Sequence, residues 1–468
     1  MTAVLAIDQG TSGTKAIIFD DHDGVLATAE VELRPRYLPD GGVEIDPDLL
    51  ADSVITAGRR TIAEANRPVA AICLANQGET VLAWDPDTGR PLSPAIGWQD
   101  RRSEPLVAEL TDSADWVAER TGLTLDPYFS APKLTWLRRQ VTDAGVVSTS
   151  DSWLIHQLCG GFVTDASTAS RSLLTRLDGG WDAELLELFQ LQDERLPEIV
   201  GCDATVGRTE AFGGSIPVAG LIVDQQAALL GERCWQAGEA KCTFGTGAFL
   251  LAQCGESAIR SSTGLTASVA WRLHGRTSYC LDGQVYAAGS AVRWLQQLGV
   301  IADANQLDAV AANSAGSVLS VPALAGLAAP WWRSDATASI TGLTLATGPG
   351  ELVRATLEGI AAQIAELTDA MSTDLGRPLT TLRVDGGLTR CRTLMQAVAD
   401  ITQLPVEVYP LAHATAIGAA ATGLLALDPS RSLTDVVPPF TAEENYDPIW
   451  SDDQAADFRE RWRQVVAP

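Results

Sequence analysis

The feature that most constrains the fold is a strand, a tight polar turn and a second strand, which occurs twice along the 468 residues. Near the start, an apolar run at 4–7 leads into the turn Asp8-Gln9-Gly10-Thr11-Ser12-Gly13-Thr14-Lys15, and another apolar run follows. The segment 239–251, with Gly245-Thr246-Gly247 at its centre, repeats this pattern. Turns rich in Gly, Ser and Thr present backbone N–H groups and hydroxyls, which bind phosphate. Two halves that begin alike predict a duplicated domain with a nucleotide cleft between the copies.

Strand and helix patterns alternate after each hairpin, and this alternation predicts an α/β fold. In the first half we expect a helix at 47–65 and strands at 4–8, 15–20, 25–33, 69–75, 81–84 and 216–223. In the second half we expect strands within 239–251 and at 382–385, and helices at 291–297, 350–372 and 393–402. The predicted organisation is an N-terminal domain over 1–231, a C-terminal domain over 232–445 and a helical tail over 446–468.

An aspartate follows the strand at 216–223, in the segment Asp224-Gln225-Gln226. A carboxylate at a strand end, opposite a phosphate-binding turn, suits phosphoryl transfer from ATP to a hydroxyl, because the hydroxyl proton needs an acceptor. Two plainer interpretations stay open: Asp224 could only cap the helix that follows it, and Asp8 could only stabilise its turn.

Composition excludes several classes of partner. The formal net charge of −26 and the pI of about 4.4 disfavour nucleic acid and anionic membranes. The eight cysteines include no Cys-x-x-Cys pair and lie mostly in apolar contexts, which is typical of reduced, buried thiols. We see no signal-peptide pattern and no apolar run of membrane-spanning length, so we expect a cytoplasmic protein. Lysine occurs only at Lys15, Lys133 and Lys241, which makes Lys15 conspicuous in its turn.

Five segments, taken in order, resemble the FGGY carbohydrate kinases of the actin/hexokinase-like ATPase superfamily, and glycerol kinases most closely. The matching segments are 98–102, 128–137, 224–228, 322–332 and 338–358. Five ordered matches are far more specific than any single motif. The resemblance covers about residues 3–445 and implies two ribonuclease H-like domains of the actin-like ATPase type, with ATP and Mg²⁺ as cofactors.

The resemblance also implies residue roles. Asp224 is the expected catalytic base, and Asp8 and Asp224 are the expected metal-binding carboxylates. The expected nucleotide contacts are Thr11, Ser12, Lys15, Gly245, Thr246, Gly289, Arg293, Gly386, Gly387 and Cys391. The expected acceptor pocket, for a small polyol or sugar, comprises Gly78, Glu79, Trp98, Tyr128, Asp224, Gln225 and Phe249. Arg293 and Cys391 stand where glycerol kinases carry Gln and Asn. The resemblance further implies a homodimer or homotetramer.

One departure from the family pattern bears on the acceptor. Glycerol kinases carry an Arg before the pocket glutamate, whereas Gly78 stands before Glu79 here. Loss of a charge-assisted hydrogen bond costs about 1.5–3 kcal/mol, and glycine leaves space. We therefore predict a polyol or ketose of four or five carbons as acceptor, with a true glycerol kinase as the alternative. A nucleotide-switched binding protein on the same fold is a third possibility. Glu79 could also pair with Arg101 or Arg102 at the surface.

Overall fold

A computed structural model describes residues 2–410 and 413–466 of the chain. Its strands are β1 (Ala3–Gln9), β2 (Gly13–Asp20), β3 (Gly24–Glu32), β4 (Arg36–Tyr37), β5 (Val43–Ile45), β6 (Ile72–Asn76), β7 (Val81–Trp84), β8 (Ala95–Ile96), β9 (Val146–Thr149), β10 (Val163–Asp165), β11 (Glu198–Val200), β12 (Thr205–Thr209), β13 (Ile216–Val223), β14 (Ala240–Phe244), β15 (Ala248–Gly255), β16 (Thr266–Leu273), β17 (Arg276–Val285), β18 (Leu319–Val321), β19 (Ser339–Thr341), β20 (Leu382–Asp385), β21 (Val406–Val408) and β22 (Asn445–Tyr446). Its helices are α1 (Pro47–Ala65), α2 (Glu104–Glu109), α3 (Ala114–Thr121), α4 (Ser130–Gln140), α5 (Ser150–Cys159), α6 (Ala166–Ser170), α7 (Ala183–Leu188), α8 (Asp224–Gly231), α9 (Gly289–Gln297), α10 (Leu307–Val310), α11 (Pro349–Leu375), α12 (Arg392–Thr402), α13 (Ala414–Leu427), α14 (Leu433–Val436) and α15 (Asp452–Val466).

The six strands of the first large sheet correspond in order to six of the seven strands of the second, with β16 added at one edge, which confirms the predicted duplication. The N-terminal sheet runs β12-β13-β6-β1-β2-β3, and the C-terminal sheet runs β16-β17-β15-β14-β20-β21-β22. In each copy an antiparallel hairpin is followed by a parallel strand: β1 pairs with β2 and β6, and β14 pairs with β15 and β20. Because the parallel strands of one sheet end at the same edge, each copy presents its hairpin turn and its next strand end together.

Two helices occupy the layer between the sheets, and the sequence analysis missed one of them. α8 follows β13 directly, while α13 comes from the second half of the chain and packs on the first sheet. A Cβ on Gly418 would lie 1.9 Å from the carbonyl oxygen of Ala227, so only glycine allows the two helices to approach this closely. The apolar cluster between the sheets accordingly joins residues from both halves, such as Ala219 and Ile417.

A five-stranded sheet, in the order β4-β5-β8-β7-β9, lies beside the first large sheet. The sequence analysis predicted only its strand β7. This sheet matters for the site because Trp98 follows β8 and Tyr128 precedes α4, which packs against β7 and β9. Helix α1 begins and ends at the predicted residues, with Asp46 accepting N–H bonds at its start and Asn66 in a left-handed conformation at its end. No helix within residues 2–410 and 413–466 combines the length and the apolar character needed to cross a bilayer.

Candidate active site

Asp8 and Asp224 lie at the same edge of the first sheet. Ala75 of β6 pairs with Asp8 of β1 on one side and with Ile222 of β13 on the other. Asp224, two residues beyond Ile222, begins α8, and its side-chain oxygen accepts a hydrogen bond from the N–H of Gln225 at 2.7 Å. The chain therefore folds so that one carboxylate on β1 and one just beyond β13 lie at the same edge of the sheet, near enough for the charge of Asp8 to act on Asp224.

The two carboxylates are electrostatically coupled. Burial, together with the charges of Asp8 and Glu79, raises the pKa of Asp224 to about 7. Burial also raises the pKa of Asp8 to about 6, although the neighbouring Lys15 opposes the shift. Two neighbouring carboxyl groups whose pKa values both lie above the ordinary Asp value are typical of a site that binds a cation or transfers a proton near neutral pH.

Each hairpin turn is closed by a backbone hydrogen bond between two of its glycines, across four residues in the first turn and three in the second. The N–H of Gly10 donates to the carbonyl of Gly13 at 3.0 Å, and the N–H of Gly245 donates to the carbonyl of Gly247 at 2.9 Å. Of the predicted nucleotide contacts on these turns, Ser12, Gly245 and Thr246 are exposed, while Thr11 and Lys15 are partly buried. Both turns therefore present polar groups to the cleft.

Three other predicted nucleotide residues adjoin the second turn. The N–H of Gly289, at the start of α9, donates to the carbonyl of Gly245 at 3.0 Å, and a Cβ at Gly289 would lie 2.5 Å from that oxygen. Gly386 has φ +97°, and a Cβ there would lie 2.4 Å from the carbonyl oxygen of Phe244. Gly387 has open space where a Cβ would stand. Glycine thus gives close packing at two positions and room at the third.

The remaining two predicted nucleotide residues differ in accessibility. Arg293 is exposed, and its guanidinium donates to the hydroxyl of Ser290 at 3.3 Å. The Cys391 thiol is buried in the core of the C-terminal domain and contacts Asp308, with Sγ and Oδ1 3.4 Å apart. Because that thiol faces inward, any contact of residue 391 with a nucleotide has to come from its backbone.

The predicted acceptor pocket is lined by packed aromatic side chains. The Trp98 ring meets Tyr128 and Phe249 edge-on, with centroids 5.6 and 5.9 Å apart, and Phe249 comes from β15 of the second domain. The indole N–H of Trp98 donates to the hydroxyl of Thr11 at 2.9 Å. Trp98 therefore connects the aromatic wall of the pocket to the turn between β1 and β2, which is predicted to bind phosphate.

Gln225 is held by a lysine that the sequence analysis left without a role. Lys241 on β14 is completely buried, and its ammonium donates to Gln225 Oε1 at 2.6 Å and to the Thr243 hydroxyl at 2.8 Å. Since a lysine can only donate, the Gln225 carbonyl must face Lys241 and its NH₂ group is left for another acceptor.

Glu79 does not form the surface ion pair considered in the sequence analysis. It is only 3% exposed, has φ +57°, and its carboxylate accepts from the Nε of Arg171, a residue at the end of α6. Arg101 instead pairs with Glu104 and Asp126, and Arg102 pairs with Asp100 and Glu44. A non-glycine residue at positive φ is strained and persists only where its surroundings hold it.

Gly78 does not leave the open space that the sequence analysis inferred. A Cβ at residue 78 would lie 3.0 Å from Cγ2 of Val223 and 3.8 Å from Nε of Arg171. The pocket also does not lack a guanidinium, because Arg171 brings one from another part of the chain. The reason given for a longer acceptor is therefore wrong on both points.

The scarcity of lysine was the one sequence signal that could have found the missed residues. All three lysines lie at the site. Lys15 lies opposite Asp8 in the register of the β1–β2 hairpin, and the Lys241 ammonium donates to Gln225. Lys133 donates to the carbonyls of Pro127, Tyr128 and Phe129 at 2.5–2.8 Å and so shapes the Tyr128 segment. No comparable signal marks Arg171 among the many arginines.

The side chains present fit a nucleotide with Mg²⁺. The described residues contain no cluster of three or more His, Cys, Asp or Glu side chains suited to a metal. Mg²⁺ in phosphoryl-transfer sites typically needs only one or two carboxylates together with phosphates and water, which matches Asp8 and Asp224. The open side of Gly387 and the exposed Gly245 turn, where the nearest atom to an added Cβ is 3.9 Å away, leave room that a side chain would fill.

Comparison with known proteins identifies the same family as the sequence motifs. The descriptions of the N-terminal and C-terminal domains of the FGGY family of carbohydrate kinases match residues 3–231 and 240–427. The chain is 44% identical to a glycerol kinase of Alkalilimnicola ehrlichii over 94% of each chain, and 40% identical to one of Trichlorobacter lovleyi over 100% of this chain and 98% of that one. It is similar to the crystal structure of Plasmodium falciparum glycerol kinase with ADP, at 32% identity and a TM-score of 0.91, covering 100% of this chain and 98% of that one. This chain therefore belongs to the FGGY family of carbohydrate kinases, phosphotransferases that act on hydroxyl groups.

Proposed function

We propose that this protein transfers the γ-phosphoryl group of ATP to a primary hydroxyl of glycerol, with Asp224 as the catalytic base. The observation that carries the proposal is the tight packing around Gly78 and Glu79 at the inner end of the acceptor pocket. Glu79 is buried and ion-paired, Gly78 is flanked by Val223 and Arg171, and three aromatic rings pack edge-on. Such a pocket suits a short acceptor. The glycerol kinase names among its relatives at 40–44% identity support the same choice.

The chain's own residues supply the chemistry by positioning groups. Asp224, whose pKa of about 7 suits proton transfer near neutral pH, accepts the proton of the attacking hydroxyl. The Glu79 carboxylate accepts from the other hydroxyls, and the amide NH₂ of Gln225, oriented by Lys241, donates to the acceptor. Trp98 and Phe249 pack against its carbon chain and exclude water, so that ATP is not hydrolysed instead.

The phosphate groups of ATP lie between the two turns in this proposal. Thr11, Ser12 and Lys15 contact them from the first domain, and Gly245 and Thr246 contact them from the second. Mg²⁺, held by Asp8 and Asp224 when bound, neutralises charge on the phosphates. Gly289, Gly386 and Gly387 border the nucleotide, with Arg293 and the backbone of Cys391 near the base.

The test is ADP release measured with Mg-ATP and a panel of acceptors: glycerol, dihydroxyacetone, erythritol, both threitols, xylitol, ribitol, xylulose and ribulose. We expect kcat/KM for glycerol to exceed that for each four- or five-carbon compound. Asp224→Asn in the same assay is the control for background ATP hydrolysis. ADP release that no acceptor changes would favour the nucleotide-switched binding protein.

A second candidate acceptor is a polyol or ketose of four or five carbons, which one observation favours. Trp98 and Tyr128 also line a cavity of about 510 Å³ that opens towards Arg101, Tyr286 and Asp335. This cavity has room for the far end of a longer chain. A preference for xylulose, ribulose or a pentitol in the panel would select it over glycerol.

The homodimer or homotetramer implied by the family resemblance stays a prediction, as does the cytoplasmic location. Sedimentation equilibrium of the full chain, with and without nucleotide, measures the first.

A further inference from the structure

We propose that Arg171 is the positioning residue of the acceptor pocket, fixing the Glu79 carboxylate and anchoring it through Asp282 to the C-terminal domain. The inference rests on the proposed function, since it assigns Glu79 to the acceptor. It adds a residue that neither the family motifs nor the sequence patterns pointed to.

The first observation is the environment of the guanidinium. The Arg171 side chain is 5% exposed, its Nε donates to Glu79 and its Nη1 donates to Asp282 Oδ2 at 2.6 Å. The centre of the guanidinium lies 5.8 Å from the centroids of the Tyr128 and Phe129 rings, and Nη2 lies 3.5 Å from the Tyr128 hydroxyl. The guanidinium thus touches two predicted acceptor residues at once.

The second observation is the strain at Glu79. Glu79 has a positive φ just beyond the end of β6, and its buried carboxylate is paired with the Arg171 guanidinium. A buried carboxylate without such a partner is strongly disfavoured. Gly78 lies against the same guanidinium, since a Cβ there would be in van der Waals contact with Nε of Arg171 at 3.8 Å.

The third observation is that the contact crosses the domain boundary. Glu79 follows β6 of the first sheet, whereas Asp282 lies on β17 of the second sheet. Arg171 is anchored independently at the end of α6, whose N-terminus is capped by Asp165. The orientation of Glu79 is therefore linked to the relative position of the two domains. In the proposed reaction that position also decides how close the acceptor lies to ATP.

The test measures KM for acceptor and for ATP separately in Arg171→Met, Arg171→Lys and Asp282→Asn enzymes. We expect Arg171→Met to raise the acceptor KM about 10- to 100-fold, the range of a lost charge-assisted contact, with the ATP KM within about twofold of wild type. Arg171→Lys keeps the charge but not the fork-shaped donor set, so it should recover part of the loss. Asp282→Asn keeps the Arg171–Glu79 contact and should raise the acceptor KM less than Arg171→Met.

The matched control is Arg354→Met, which removes a buried Arg–Glu pair on α11 and should change neither KM. Equal changes in both KM values, or an unchanged acceptor KM, would overturn the positioning role. If Arg171→Met does not fold, the Arg171→Lys result decides, since an acceptor KM equal to wild type there contradicts the proposal. The variants are assayed with whichever acceptor the wild-type enzyme prefers, so a result against glycerol does not count against Arg171.

Discussion

The two hairpins with glycine-rich turns, β1–β2 and β14–β15, share antiparallel pairing but differ in side-chain character, and the first turn is one residue longer. In the first hairpin, Asp8 pairs with Lys15 two residues from the glycine that closes the turn. In the second, the equivalent cross-strand pair is Thr243 and Phe249. One copy therefore carries a carboxylate and an ammonium, and the other carries a hydroxyl and an aromatic ring.

From this difference we infer that the two domain copies contribute different chemical groups to one reaction. The strand order and the antiparallel pairing of the hairpin depend on backbone geometry, which both copies keep. The two carboxylates that we propose as cation ligands and proton acceptor, Asp8 and Asp224, lie on the first copy. The second copy contributes an uncharged Gly-Thr-Gly turn, together with Lys241 and Phe249, which reach towards the acceptor residues of the first.

The largest effect that would test this division comes from Asp224→Asn. An amide cannot accept the hydroxyl proton, so we expect kcat to fall about 10²- to 10⁴-fold while the Kd for ATP changes less than about threefold. Single-turnover kinetics and calorimetric titration measure the two values. An active Asp224→Asn enzyme would remove Asp224 from the role of base.

A smaller effect is expected from Asp8→Asn, with Thr243→Val as the matched change in the other hairpin. Loss of one cation-binding carboxylate should raise the Mg²⁺ concentration needed for half-maximal activity at least tenfold, in the range of a lost charge-assisted contact of about 1.5–3 kcal/mol. Thr243→Val should leave the Mg²⁺ requirement within about twofold of wild type. Equal shifts in the two variants would show that the hairpins do not divide the work.

Thr246→Val tests the neutral turn. We expect the KM for ATP to rise about 3- to 10-fold, as a lost uncharged hydrogen bond costs about 1 kcal/mol, with the acceptor KM unchanged. Initial rates with each substrate varied in turn provide both constants. A larger effect on the acceptor than on ATP would mean that this turn does not bind phosphate.

The last test concerns stability, and it probes the charge of the first copy without catalysis. Asp8 and Asp224 have folded-state pKa values of about 6 and 7, above the ordinary Asp value of 3.8, so the folded protein holds more protons than the unfolded chain between those values. The free energy of unfolding should therefore fall as pH rises from about 4 to about 7 in the absence of Mg²⁺ and nucleotide. Asp224→Asn should flatten this slope and raise stability at pH 8 by about 1.4 kcal/mol for each pKa unit removed. Urea titrations at several pH values measure it, and parallel curves for the two proteins would contradict it.

Much of the fold could be predicted because local patterns carry it. The helix at 47–65 has a proline and an aspartate at its start, and the first three strands alternate with turn residues, so sequence and structure agree there. Apart from β7, the strands of the small sheet beside Trp98 could not be predicted, because strands of two to four residues have no measurable periodicity.

The candidate site likewise has features that the sequence predicts and features that only the fold reveals. The sequence by itself determined the duplicated hairpins, the α/β class, Asp8 and Asp224 at strand ends, and the glycines of the second turn, since each follows from residues adjacent in the chain. Only the tertiary structure decided that α13 packs on the first sheet, that Lys241 orients Gln225, that Gly78 faces no open space, and that Glu79 pairs with Arg171 rather than Arg101 or Arg102. These contacts join residues roughly 16 to 200 positions apart in the chain, so no local sequence pattern predicts them. A buried charge pairs with whichever opposite charge the fold brings near.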